Sequence, residues 1–216
     1  GLISGFSILN KLFSRMLLLL VTFSLLIACL SWILSLEYEQ NSNKWTSGLL
    51  INSISFPYIA LICLTALLVG ALNVRKHFFS GAFSPIILNL SMIFFLIAGN
   101  WWLNLRGIEL GVFLACGVLF GGGLQLLSPL LELYFRENWR FRFDFQKSKE
   151  ISDIGSLFWV GAMGAAIAQI NILVSRILAY SLDNEGALSY LFLSARLVEL
   201  PLGVFAIAIS TVLFPV

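Results

Sequence analysis

Charge is confined to short stretches of this chain. Residues 16–36, 45–74, 78–105, 110–131 and 154–175 contain no Asp, Glu, Lys or Arg. The shortest of these runs is 21 residues, and about 20 apolar residues of helix cross the roughly 30 Å of bilayer hydrocarbon. A sixth apolar stretch, from about Ala187 to Val216, is interrupted only by Arg196 and Glu199. Backbone in lipid has no water to bond, so only helices and closed barrels can span it. Barrel strands would be about half as long and would alternate in polarity. The pattern predicts an all-α fold: a polytopic membrane helix bundle with six transmembrane helices. The expected spans are about 13–36, 48–74, 82–105, 109–134, 153–179 and 187–214, in a single transmembrane segment.

Composition sharpens this reading. The 216 residues are 59% hydrophobic and 11% charged, with a mean hydropathy of +0.96; soluble domains carry about a quarter charged residues. A chain this short cannot bury so much apolar surface in one water-soluble core. A soluble enzyme, a disordered protein and a secreted disulfide scaffold are excluded. The net charge of +2 gives no support to nucleic-acid binding. Cys29, Cys63 and Cys116 each lie in an apolar run, where cysteine acts as a small hydrophobe. His77 is the only histidine, which argues against a metal centre. The sequence contains no Ser/His/Asp set, paired carboxylates or metal-ligand spacing, so neither an enzyme nor a cofactor is expected. The chain starts on glycine and runs out at Phe214-Pro215-Val216, and a fragment of a longer protein is expected.

The charged residues between the runs set a topology. Lys11 and Arg15 precede the first span, Arg75 and Lys76 follow the second, and Arg136, Arg140, Arg142, Lys147 and Lys149 follow the fourth. The alternate loops hold Lys44 and Arg106 with Glu37, Glu39, Glu109, Asp183 and Glu185. Nine basic residues against two is a positive-inside pattern, with the first span running outward from the cytoplasm. The remaining two, Arg176 and Arg196, fall inside spans.

An arginine at the bilayer centre costs about 2.5–3.5 kcal/mol even on the lenient insertion scale. Arg196 lies about nine residues into its span, roughly 13 Å deep at 1.5 Å per residue, where snorkelling is difficult. It should face a bundle interior or a wet cavity, with Glu199 three residues on along the same helical face. The pair reads either as an anion- or ion-binding site in a water-filled path or as a structural ion pair. Arg176, nearer the end of its span, could snorkel. Pro57, Pro129 and Pro201 should loosen or kink their helices. Gly117, Gly121, Gly122 and Gly123, and the run Gly155, Gly161, Ala162, Gly164, Ala165 and Ala168, read as close-packing faces. The segment Trp139-Arg140-Phe141-Arg142-Phe143-Asp144-Phe145 reads as an aromatic and basic belt at the headgroup level.

Several motifs, in order, carry a resemblance. Phe56-Pro57-Tyr58, Gly70-Ala71-Leu72-Asn73 and Phe83-Ser84-Pro85 with Leu88-Asn89 are followed by Arg140-Phe141-Arg142, Gly161-Ala162 and Gln169-Ile170-Asn171. The series ends in Ser194-Ala195-Arg196-Leu197-Val198-Glu199-Leu200-Pro201-Leu202-Gly203-Val204. Together they resemble the MurJ (MviN) family of lipid II flippases, over nearly the whole chain. The resemblance implies about helices three to eight of a longer two-lobe transporter with a MATE-like fold, in the bacterial inner membrane. It further implies an undecaprenyl-pyrophosphate-linked disaccharide-pentapeptide (lipid II) as substrate, membrane lipids as surroundings, and alternating access through an arginine-lined cavity that binds the pyrophosphate. By motif, Arg196 and Glu199, with Arg176, are the expected substrate-binding residues. Two positions depart from the family pattern: Ala195 and Ser175 stand where the family often has Asp. A polysaccharide-unit flippase or multidrug exporter of the same superfamily stays open, as does a non-transporting membrane scaffold.

Overall fold

The computed structural model describes residues 2–37, 43–146, 149–182 and 186–213, with side chains over the same stretches except 2–4, 43, 149–150, 152–153, 156–157, 160, 165, 168, 200 and 202–213. Glu39, Lys147, Asp183, Glu185 and Phe214-Pro215-Val216, and the side chains of Ala165, Ala168, Leu200, Leu202, Gly203 and Val204, lie outside the described residues.

Seven α-helices follow one another among the described residues: α1 (Leu2–Glu37), α2 (Asn43–Ser55), α3 (Tyr58–Val74), α4 (Phe79–Ile97), α5 (Gly107–Glu137), α6 (Lys149–Ser181) and α7 (Ala187–Leu213). Five stretches among the described residues are long and apolar enough to cross a bilayer: Gly5–Glu37, Lys44–Val74, Phe79–Trp102, Gly107–Glu137 and Gly161–Ser181. The sixth expected span corresponds to α7, much of whose side-chain structure lies outside the described residues.

Pro57 interrupts the second span. It has no N–H for a helical hydrogen bond, α2 stops at Ser55, and a tight turn carries the chain into α3, with Ile59 N donating to Phe56 O and Ala60 N to Pro57 O. Pro129 and Pro201 lie within helices that run on past them. Beyond α4 the helix widens into a π-turn, Ala98–Trp102, closed by Leu103 N on Ala98 O.

The chain divides into two compact units, Gly1–Ile151 and Ser152–Val216. In the first, α5 packs against α2, α3 and α4, and α1 packs against α2 and α3. Close approach along α5 depends on its glycines. A Cβ on Gly117 would lie 2.6 Å from the Phe95 ring, and on Gly121 3.0 Å from Ser91. Polar side chains then tie the helices together: Ser91 Oγ donates to Gly117 O (2.7 Å), and Asn52 Nδ2 of α2 to Ser31 Oγ of α1 (2.8 Å). Tyr58 Oη donates to Gln125 Oε1 (3.1 Å), while Gln125 Nε2 donates to Ser84 O (2.8 Å). Buried in lipid, such groups must find protein partners.

On α6, a Cβ on Gly155, Gly161 or Gly164 would meet nothing within 4 Å among the described residues.

The apolar core of the first unit sits at its basic end. Leu64, Leu68 and Leu72, one face of α3 at i, i+4, i+8, meet Leu9 and Phe13 of α1, Leu133 of α5, and Trp139. Trp139 gets there because Asn138 takes a left-handed conformation (φ 53°) and Trp139 N bonds back to Leu133 O, a turn that reverses the chain at a helix end.

Candidate functional site

α6 and α7 of the second unit line an open groove of about 700 Å³. Its polar wall is Asn171, Ser175, Arg176, Ser189, Arg196 and Glu199; apolar residues such as Ile172, Leu188 and Phe192 complete it. Arg176 stands five residues before the end of α6, and Arg196 nine after the start of α7. At 1.5 Å per residue they are about 7 and 13 Å from those helix ends. All three expected substrate-binding residues therefore line one hollow.

Arg196 Nη1 donates to Glu199 Oε2 at 2.9 Å, and its guanidinium stands 5.2 Å from the Phe192 ring centroid. Helical spacing makes the pair: residues three apart lie on one face. The two side chains are 66% and 61% exposed, so neither is sealed in dry packing. Arg176 forms no ion pair among the described residues. Ser175 bonds back to Asn171 O (3.0 Å), so the hydroxyl at the departing position is occupied locally. Chemically, the groove offers two guanidiniums and one carboxylate, a net positive site suited to an anion.

Within the aromatic and basic segment 139–145, the first aromatic turns inward. Trp139 is 3% exposed, with its ring 6.2 Å from Phe13 in an edge contact, and Phe141 packs on the Phe13 ring at 5.0 Å. Only Phe143, Phe145, Arg140 and Arg142 turn outward. The segment is strapped to α1: Arg15 donates to Phe145 O (3.2 Å) and Gln146 O (3.0 Å), and Asp144 N donates to Ser14 Oγ (3.1 Å). Trp139 joins the core and Phe141 packs against it, because the turn at Asn138 folds the start of the segment inward.

A second polar cluster, at the basic end of α3, α4 and α5, escaped sequence reasoning. Glu137 pairs with Arg75 through Oε2 and stands 3.1 Å from His77 Nε2 through Oε1. Glu132, buried at 9% exposure, accepts from Ser80 Oγ, which accepts from Ser128 Oγ (3.1 Å). The signal available was a lone glutamate four residues before an arginine on a helix that lipid surrounds.

The sequence model of the family described as "Lipid II flippase MurJ" matches residues 6–216. The chain is similar to probable lipid II flippases MurJ of several bacteria. It is 36% identical over 181 residues to that of Vibrio cholerae serotype O1 (81% of this chain, 32% of the relative) and 33% over 186 to that of Bdellovibrio bacteriovorus (85% and 34%). With that of Rhizobium meliloti it shares 32% over 181 residues (82% and 33%). The chain thus spans about a third of the length of the curated relatives it matches. No solved structure matches it significantly. Its apolar helices and its relatives make it a multi-pass protein of the bacterial inner membrane. Over nearly its whole length, the chain belongs to the MurJ lipid II flippase family.

Proposed function

We propose that this chain forms part of a flippase that carries a lipid-linked peptidoglycan precursor, lipid II, across the inner membrane without covalent chemistry. The observation that carries the reading is the convergence of Arg196, Arg176 and Glu199 on one groove, in a member of this family. A planar guanidinium can bind two phosphate oxygens at once. That pairing selects an anionic headgroup over a neutral or cationic one. Glu199 neutralises Arg196 while the groove is empty. An arriving pyrophosphate competes for the same N–H groups, and the displaced carboxylate keeps the site from holding its cargo too tightly for release. Alternating access of two lobes then exposes the arginines first to one face and then to the other.

In cells that depend on the full-length protein, Arg196→Ala should stop growth. Lipid-linked precursor should accumulate and cells lyse, at unchanged protein level. Normal growth at normal protein level would remove Arg196 from the site. Complementation of a peptidoglycan-flippase depletion strain by the full-length gene separates this reading from a polysaccharide-unit flippase or multidrug exporter: rescue supports the first, failure with good expression the others.

A further inference from the structure

The cluster at the basic end of the first unit holds one guanidinium between two acceptors. Arg136 Nη1 stands 3.5 Å from His77 Nδ1 and 3.5 Å from Glu132 Oε1. Glu132 Oε1 is buried and accepts no hydrogen bond among the described residues, since its approach to Arg136 is within ion-pair range but outside hydrogen-bond geometry. A guanidinium can only donate. Its contact with Nδ1 therefore requires a neutral ring with the proton on Nε2, aimed at Glu137 Oε1.

We propose that His77 and Glu132 are alternative seats for Arg136, and that protonation of His77 moves the arginine from one to the other. A proton on Nδ1 turns that acceptor into a cationic donor facing a guanidinium. The arginine must leave Nδ1, and the acceptor already within ion-pair range is Glu132 Oε1, which accepts no hydrogen bond among the described residues. The imidazolium keeps Glu137 through Nε2–H. The first move exchanges a cation–imidazole contact for an ion pair with a carboxylate, and the second turns the contact of Nε2–H with the Glu137 carboxylate into an ion pair as well.

The device is placed to matter for packing. His77 sits on the turn between α3 and α4, fixed by the left-handed Lys76 (φ 65°) and the bond of His77 N to Leu72 O. Glu132 is on α5 and is bonded to Ser80 of α4. Moving Arg136 onto Glu132, its neighbour one turn back on α5, loosens the α3–α4 turn from the end of α5 at Arg136. The other groups around His77 are accounted for. Arg75 is held by Glu137 beneath the Phe6 ring of α1 (4.2 Å to the centroid), Lys76 points to solvent, and α4 presents the uncharged Ser80. Histidine is the side chain whose charge ordinarily changes in the physiological pH range, so cytoplasmic-range acidification is the natural input.

The test is a double-mutant cycle on the full-length protein in detergent, reading the His77 ring by NMR and identifying its signal by its loss in His77→Asn. Coupling is reciprocal: if Glu132 receives Arg136, Glu132 must favour the proton on His77. Glu132→Gln should lower the His77 titration midpoint by about one pH unit. In an Arg136→Gln background the same change should lower it by less than about a third of that. An equal shift in both backgrounds means Glu132 acts directly on His77 and overturns the exchange. Wild-type protein alone supplies a second check should a variant fold poorly. Structures at about pH 5.5 and about pH 8 must show Arg136 Nη1 in hydrogen-bond geometry with Glu132 Oε1 at the lower pH and with His77 Nδ1 at the higher. An arginine that does not move overturns the proposal as well.

Discussion

Gly122 measures how little room α5 leaves its neighbours. A Cβ there would lie 2.7 Å from Cδ2 of Tyr58 and 3.0 Å from Cδ1 of Leu61. The ring is backbone-anchored beside the break at Pro57, and its hydroxyl holds Gln125, so it cannot simply swing away. Gly122→Ala should therefore cost about 1–3 kcal/mol through overpacking, read as a lower midpoint of thermal unfolding by intrinsic fluorescence. Gly161→Ala is the control: it meets nothing, and alanine favours helix over glycine by up to about 1 kcal/mol, so the midpoint should hold or rise. Both glycines look alike in sequence. Their difference depends on which helix lies opposite, and spacing along one helix does not encode that. Arg196, Glu199 and Arg176 were legible because a charge inside an apolar run is costly in lipid. Asn171, Ser175 and Ser189 on the same groove were not, since small uncharged polar residues satisfy themselves within a helix, as Ser175 does. Glu132 was missed for a related reason. It stands just past a charge-free run, where headgroup water could solvate an acid, and its serine partner lies 52 positions away in the chain.

Among the elements, the strap after α5 holds a core residue that sequence reasoning did not anticipate, Trp139. Tryptophan and arginine beside a span fit a membrane interface, and that reading treats the segment as surface. The overlooked signal was Asn138, a residue that readily takes the left-handed conformation ending a helix, which turns Trp139 back onto Leu133 and Phe13. The two ends of the strap should respond differently to truncation. Trp139→Ala removes a buried indole and should cost about 3–5 kcal/mol, whereas Phe143→Ala, exposed on the outer side, should stay within about 0.5 kcal/mol. Thermal unfolding of the two variants side by side checks this. Arg15→Gln acts at the far end by freeing the carbonyls of Phe145 and Gln146. Cleavage by trypsin after Arg142 should then become several-fold faster, because proteolysis follows local opening, while the midpoint of unfolding barely moves. A strap that stays resistant in Arg15→Gln would mean the aromatic contacts alone hold it.

For the whole molecule, the physics that made the spans legible also predicts which way they run. The apolar helices cannot leave a backbone group unpaired in lipid, so their existence follows from length and composition. Their orientation follows from where lysines and arginines collect. Lys11, Arg15, Arg75, Lys76, Arg136, Arg140 and Arg142 stand on α1 before its membrane stretch, in the α3–α4 turn, and at the end of α5 and the strap. In the first unit these places meet: Arg75 pairs with Glu137, and Arg15 holds the strap. One end of the unit is thus basic, and Lys44 and Arg106 belong to the opposite loops. Translocating so many cations against the membrane potential is unfavourable, at about 2.3 kcal/mol per charge per 100 mV. The basic end should therefore remain in the cytoplasm. Single cysteines in a full-length protein freed of Cys29, Cys63 and Cys116 give the measurement. With Lys76→Cys and Arg140→Cys, an impermeant maleimide should react only after cells are opened; with Arg106→Cys it should react on intact cells. The reverse pattern would put the strap and the His77 cluster outside, away from the cytosolic pH that His77 is proposed to sense. That single experiment therefore tests the orientation on which the switch argument depends.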